Sequence, residues 1–269
     1  MNSMKPLLLS LLTTALLSGC VTTESPTGRG QTLLFSAEQM QQMGDSSFAE
    51  MKRQQKLSKD KRQTDYVNCV ARRITSVLPN QGQPWEVVLF DSEQVNAFAL
   101  PGGHIGVYTG LLKVAEGPDQ LATVLGHEVA HVLANHGNEQ VSRAQLTGVG
   151  MQIADAALGG VGVANKDLYM SALGLGAQVG FILPFGRAQE SEADAIGLEL
   201  MAKAGFDPAA SIALWQNMDK AGGGQGVELL STHPSHGHRI EELQKRQAQV
   251  LPLYHASQAG VKNRCQLGK

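Results

Sequence analysis

Residues 125–136 read LGHEVAHVLANH. His127 and His131 are one helical turn apart, so on a helix both imidazoles project from one face and can share a metal ion. Glu128 stands beside them, where its carboxylate can reach a water on that metal without being a ligand. The chemistry open to such a set is hydrolysis, with metal-activated water as nucleophile and Glu128 as general base. A helix that merely carries polar residues on one face would read the same over this stretch. The decision rests on a third ligand, a substrate-binding element and a compatible compartment.

A hydrolytic zinc site needs three protein ligands and one open position. The extended metzincin pattern requires a glycine at 134 and a histidine at 137, where this sequence has Ala134 and Gly137, so that subclass is excluded. His136 is out of register and is expected as an exposed residue near the helix end. The third ligand must then come from another helix. The stretch RAQESEADAIG at 187–197 supplies Glu190 and Asp194 on one helical face. Glu190 suits a ligand, and Asp194 suits a carboxylate bracing a ligand histidine from behind. Glu192 points to another side and reads as a first-turn acid favourable to the helix dipole.

The elements that must position these groups can be read from periodicity and caps. Ser36 with Gln39 forms a capping-box signature for a helix to about residue 55, and a second helix covers about 63–77. WEVVLF at 85–90 is a strand, and 96–110 gives two short strands joined across Pro101, Gly102 and Gly103. The metal-binding helix spans 119–135 with Leu121, Val124, Leu125 and Val132 on one side. Further helices are expected at 188–203, after Asp207-Pro208, and at 239–249. The Gly/Ala-rich segment 146–186 reads as packed helices, since its glycines and Pro184 make a poor membrane span. Its Gly-x-Gly clusters match no phosphate-binding pattern. The fold class is α+β, mainly helical, with a small antiparallel sheet whose edge strand borders the metal helix.

The chain has 269 residues, 42% hydrophobic and 17% charged, with net charge −2. That suffices for one sizeable core, and the absence of clustered Lys and Arg argues against nucleic acid as a partner. Lys5, an apolar run from Leu7 to Leu17 and the LSGC tetrapeptide ending in Cys20 form a secretory leader. The tetrapeptide resembles a bacterial lipobox, which implies a lipid on Cys20, and Val21 in place of Asp points to the outer membrane. The expected organisation is a leader at 1–19, a lipidated flexible tether at 20–32, a metal-hydrolytic domain at 33–255 with the Gly/Ala-rich helical insert at about 146–186, and a tail at 256–269. Two cysteines remain, Cys69 and Cys265, which either pair in an oxidising compartment or stay free thiols.

HEVAH followed by ESEAD resembles the gluzincin metallopeptidases that include the CAAX prenyl proteases, HtpX and the periplasmic BepA and LoiP lipoproteins. NAFALPGGHIGVYTGLL at 96–112 and THPSHGHR at 232–239 are similar to that family's blocks, in its order. The resemblance implies a zincin fold with one zinc ion per chain, His127, His131 and Glu190 as ligands, Glu128 as general base and Asp194 behind the ligands. It also implies that His233 and Arg239 lie near the substrate carbonyl or the fourth zinc position. His233 would then either stabilise the oxyanion or occupy that position in a resting state. Asn96, Ala97, Phe98 and Ala99 would offer strand backbone to an extended substrate. Two functions compete: an endopeptidase that trims unfolded or misassembled envelope proteins, in contact with the outer-membrane assembly machinery, or a chaperone-like scaffold with a self-blocked site. Prenyl-protein processing is disfavoured because the multispan membrane body of those enzymes is missing.

Overall fold

The computed structural model describes residues 22–79, 84–157, 185–222, 228–233, 238–258 and 265–267. The leader, Cys20 and most of the Gly/Ala-rich segment lie outside the described residues. Among the described residues no helix is long and apolar enough to cross a membrane.

The elements run β1 (Thr22–Glu24), β2 (Gly30–Thr32), α1 (Ala37–Gln54), α2 (Lys61–Ser76), β3 (Glu86–Phe90), β4 (Ala97–Leu100) and β5 (His104–Tyr108). They continue with α3 (Pro118–Leu133), α4 (His136–Ala157), α5 (Arg187–Lys203), α6 (Ala210–Gly222), α7 (Glu228–Thr232) and α8 (Arg239–Gln258). Ser36 accepts from the Gln39 amide while the Gln39 side chain bonds back to Ser36, so both ends of the expected capping box are made. The Asp60 carboxylate accepts from the Arg62 and Gln63 amides and starts α2. Along α2, Tyr66, Val67, Val70, Ala71 and Ile74 form the buried stripe against α3.

The sheet is mixed rather than wholly antiparallel. β4 and β5 form the expected antiparallel pair across the Pro101–Gly103 turn, but β3 joins β5 in parallel, giving the order β3-β5-β4. The connection from β3 returns through β4 on the far side of β5, which leaves β4 at the edge. α8 runs past the expected end at 249 and through Pro252 to Gln258, so the last helix takes in the start of the presumed tail. Cys265, beyond it, is joined to Cys69 on α2 by a disulfide with a sequence separation of 196.

Residues 22–32 are no free tether. They form a β-hairpin, with Thr22 opposite Thr32, that docks on α4 and α5. The reason is electrostatic: Arg29 in the turn binds both carboxylate oxygens of Glu139 and, through Nε, Glu192. The Gln31 amide donates to the Ala134 carbonyl at the end of α3.

α3 is buried on every side, and its approach to α5 decides where the site forms. Gly126 and Gly197 meet at the crossing, where a Cβ on Gly126 would lie 2.8 Å from the Gly197 carbonyl oxygen. A Cβ on Gly197 would lie 2.8 Å from the His127 amide nitrogen. The missing side chains let the two backbones touch, and that contact brings the Glu190 turn of α5 over His127 and His131. Gly197→Ala is therefore expected to cost about 1–3 kcal/mol of stability and to weaken zinc binding as well. Thermal unfolding and a zinc competition assay read the two effects; an alanine variant with unchanged metal affinity would separate this crossing from the site.

Candidate metal centre

His127, His131, Glu190 and His233 converge, all buried, with one ligand atom from each lying within 4.8 Å of the others. His127 Nε2 is 3.0 Å from His131 Nε2 and 3.3 Å from His233 Nδ1. Glu190 Oε1 is 3.0 Å from His233 Nδ1 and 3.5 Å from His131 Nε2, and Oε2 is 3.4 Å from His127 Nε2.

The proton inventory shows what this cluster is built to hold. His127 Nδ1 lies 2.9 Å from Asp194 Oδ1, so its ring proton belongs there and the Nε2 lone pair faces the cluster. His131 Nδ1 is likewise engaged behind, 2.8 Å from His136 Nδ1, which leaves its Nε2 lone pair facing inward too. Two imidazole nitrogens and a carboxylate converging at these distances need a positive charge among them, either a proton or a metal cation. The bond lengths of zinc to histidine give donor separations of about 3.3 Å; the five separations above span 3.0–3.5 Å, within a set whose four atoms lie inside 4.8 Å of one another. The donor set, two or three nitrogens with one carboxylate oxygen, is that of zinc, and the site fits one zinc ion per chain.

Without a metal, a proton on His127 supplies that charge. Burial opposes a charge on Glu190, but His127 and hydrogen bonds from the three histidines outweigh it and hold the carboxyl far below its usual range. Burial likewise disfavours a charged His127, yet the Glu190 and Asp194 carboxylates win and pull it up to about 9. Asp194 is held below its ordinary value against burial by the Arg239 charge and the His127 bond. Burial dominates at His131, which is pushed well down and stays neutral, the form a ligand needs. Burial also raises Glu128, against the lowering influence of His233 and His127.

Glu128 is buried beside the cluster, and its Oε1 has no hydrogen-bond partner; His233 Nε2 is the nearby group, at 3.5 Å. In front of it a cleft of about 360 Å³ is lined by Glu128, His131, His233, Phe185, Asn96 and the β4 residues Ala97 to Leu100. The sheet edge expected to border the metal helix does so.

A model described as Peptidase family M48 matches residues 61–247. The chain belongs to this family. The mitochondrial metalloendopeptidase OMA1 of Schizosaccharomyces pombe is 38% identical over 184 residues, covering 68% of this chain and 52% of that protein. OMA1 of Arabidopsis thaliana is 34% identical over 248 residues, 90% of this chain and 49% of that one. The Beta-barrel assembly-enhancing protease of Escherichia coli strain K12 is 31% identical over 233 residues, 84% and 47% respectively. The chain thus spans about half the length of these relatives. The family is the one that the HEVAH and ESEAD blocks resemble.

Three placements in this M48 chain differ from the sequence reading. His136 is wholly buried, because Asn135 adopts a left-handed conformation (φ 54°) that ends α3 and turns the next residue back under His131. Glu192 is buried rather than a solvated first-turn acid: it accepts from Thr27, Arg29 and His136. Burial works against its charge, but hydrogen bonds from Ser25, Thr27, Arg29 and His136 prevail and hold it at about 2. Arg239 does not reach the cleft. Its guanidinium packs beside His127, with Nη2 3.4 Å from both ring nitrogens, donates through Nη2 to Glu190 Oε2 at 3.0 Å and Asp194 Oδ1 at 2.7 Å, and lies over the Trp215 ring at 3.6 Å. Arg239 is a positioning residue for two carboxylates.

Phe185 and Trp215 are the aromatic groups that sequence reasoning passed over. Phe185 stacks on His131 with centroids 3.9 Å apart. No motif marks either one, because each acts by a contact between distant segments.

Proposed function

We propose that this protein is a zinc-dependent endopeptidase that cleaves unfolded or extended proteins of the bacterial envelope. The observation that carries this reading is Glu128, a buried carboxylate whose unpartnered Oε1 sits between a zinc-type donor set and an open strand edge.

His127, His131 and Glu190 would hold the metal, which when bound supplies Lewis acidity toward a peptide carbonyl and the attacking water. Glu128 takes the water proton on its free oxygen and returns it to the leaving amine. The raised Glu128 pKa brings it closer to the range in which a base can also act as the returning acid. β4 pairs on one side with β5, so its other edge can hold an extended peptide by main-chain hydrogen bonds from Asn96 through Ala99. Recognition of main chain favours unfolded clients over a fixed sequence. Asp194, Arg239 and Phe185 keep the ligand rings and carboxylates in place.

The envelope assignment draws on the lipobox-like LSGC tetrapeptide ending in Cys20, on the Cys69–Cys265 disulfide, which suits an oxidising compartment, and on similarity to an enzyme named for β-barrel assembly. In this reading the chain hangs from the outer membrane on its periplasmic face, near the β-barrel assembly machinery.

The test is cleavage of casein by the purified chain. Zinc content of one ion per chain is expected, with activity lost on chelation and restored by zinc; persistent cleavage after complete zinc removal would rule the reading out.

One observation favours a second, restrained form of the site. His233 Nδ1 stands at donor distance from both His127 and Glu190, so His233 completes the donor set itself and excludes a substrate carbonyl. His233→Ala is then expected to raise the initial rate on casein several-fold with zinc retained. A fall of about a hundredfold or more would instead assign His233 to oxyanion stabilisation. Stoichiometric zinc with no cleavage by either form would favour a chaperone-like scaffold.

A further inference from the structure

Each ligand histidine is held from behind through its Nδ1, but by different means. His127 meets the Asp194 carboxylate directly. His131 meets another histidine. His136 Nδ1 is 2.8 Å from His131 Nδ1, and His136 Nε2 is 3.1 Å from Glu192 Oε2. Two ring nitrogens at that separation share one proton, and the far end of the chain decides whose it is. Glu192 is a carboxylate that already accepts from Arg29 Nε (2.8 Å) and the Thr27 hydroxyl (2.6 Å), so it accepts from His136 Nε2 as well. His136 Nδ1 is then a bare acceptor, the proton resides on His131 Nδ1, and His131 presents its Nε2 lone pair to the metal.

The far end of this chain is anchored in the amino-terminal hairpin. Arg29 bridges Glu192 on α5 and Glu139 on α4, the helix that His136 begins. Gln189 on α5 also donates to Glu139 at 2.8 Å. His136 has no exposed surface and Glu192 is 5% exposed, so water does not substitute for these partners.

We propose that His136 and Glu192 are positioning residues that fix the tautomer and ring orientation of His131, and that the hairpin at 22–32 is the strut holding them through Arg29. The segment nearest the presumed lipid anchor is by this account part of the metal centre. The proposal rests on metal binding by His127, His131 and Glu190 and not on peptide hydrolysis, so its test reads the metal.

The experiment measures zinc dissociation constants of the full chain by competition with a chromophoric chelator, together with the visible absorption of the cobalt-substituted protein. His136→Ala is expected to weaken zinc about 10–100-fold and to change the cobalt spectrum. His136→Gln, whose amide oxygen can accept from His131 and whose amide nitrogen can donate to Glu192, is expected to restore most of the affinity and the spectrum. Arg29→Ala is expected to give an intermediate loss. Wild-type affinity and spectrum in His136→Ala would overturn the positioning role. Equal loss in the alanine and glutamine variants would reduce His136 to packing and overturn the proton-chain account. Unchanged affinity in Arg29→Ala would overturn the strut. Should the alanine variant fail to fold, a loss of zinc affinity of about 10–100-fold in His136→Gln would overturn the proton-chain account, and Arg29→Ala still decides the strut. Failure of the wild type to bind zinc would count against the metal centre itself, a separate result.

Discussion

Glu128→Gln is expected to lower kcat on casein by about two to four orders of magnitude while zinc stays at one ion per chain. The amide keeps the shape of the carboxylate but cannot take a proton from water. Zinc retention follows because Glu128 lies outside the group of four donors. Stability gives an independent check with a definite sign. Burial raises the Glu128 pKa, so the fold disfavours the ionised side chain, and that penalty is present above the ordinary carboxyl pKa. At neutral pH the zinc-free glutamine variant should therefore unfold at the same temperature as wild type or higher. Undiminished turnover would remove Glu128 from the mechanism, and lost zinc would make it a ligand.

Glu190→Gln is expected to do the opposite on both counts. Glu190 is fully buried, faces three histidines and accepts from Arg239. Its carboxyl is held far below its usual pKa, so its charge stabilises the fold above the ordinary carboxyl range and ceases to do so only in strong acid. Removing the charge takes the anion from the donor set and leaves Arg239, among the described residues, with Asp194 as its hydrogen-bonded carboxylate. Zinc affinity should fall by more than the roughly 10–100-fold typical of an outer partner, and the zinc-free variant should melt below wild type. Zinc titration and thermal unfolding of the two glutamine variants side by side make the test. A Glu190→Gln protein with wild-type zinc affinity would exclude Glu190 as a ligand.

The pair also shows why the site was partly legible. His127, Glu128 and His131 occupy one helix, where spacing alone dictates which side chains share a face, and the same rule pairs Glu190 with Asp194. Capping signals placed the start of α1 at Ser36, and the Pro101–Gly103 turn placed β4 beside β5. These are local rules, and they hold because backbone geometry over one or two turns is nearly independent of the rest of the chain.

The errors share a cause as well. His136 is out of register on a continued α3, and the left-handed Asn135 that redirects it carries no decisive local signature. Residues 22–32 are polar and rich in turn formers, a composition that a tether shares with a docked hairpin. What separates the two is Glu139 and Glu192, far along the chain, which receive Arg29. Arg239 aligns with the family's block, and the contacts of its Nη2 with Glu190 and Asp194 and of its plane with the Trp215 ring could not be read from that block.

By itself the sequence determined which local groups share a face: His127, Glu128 and His131 on one helix, Glu190 and Asp194 on another, and a strand–turn–strand ahead of them. The tertiary structure alone decided how the halves meet, because Gly126 and Gly197 let two helix backbones touch and convert separate motifs into one donor set. It also decided which polar residues support that set. Buried hydrogen bonds between distant segments form only when packing has removed water from both partners, and no local pattern encodes that condition.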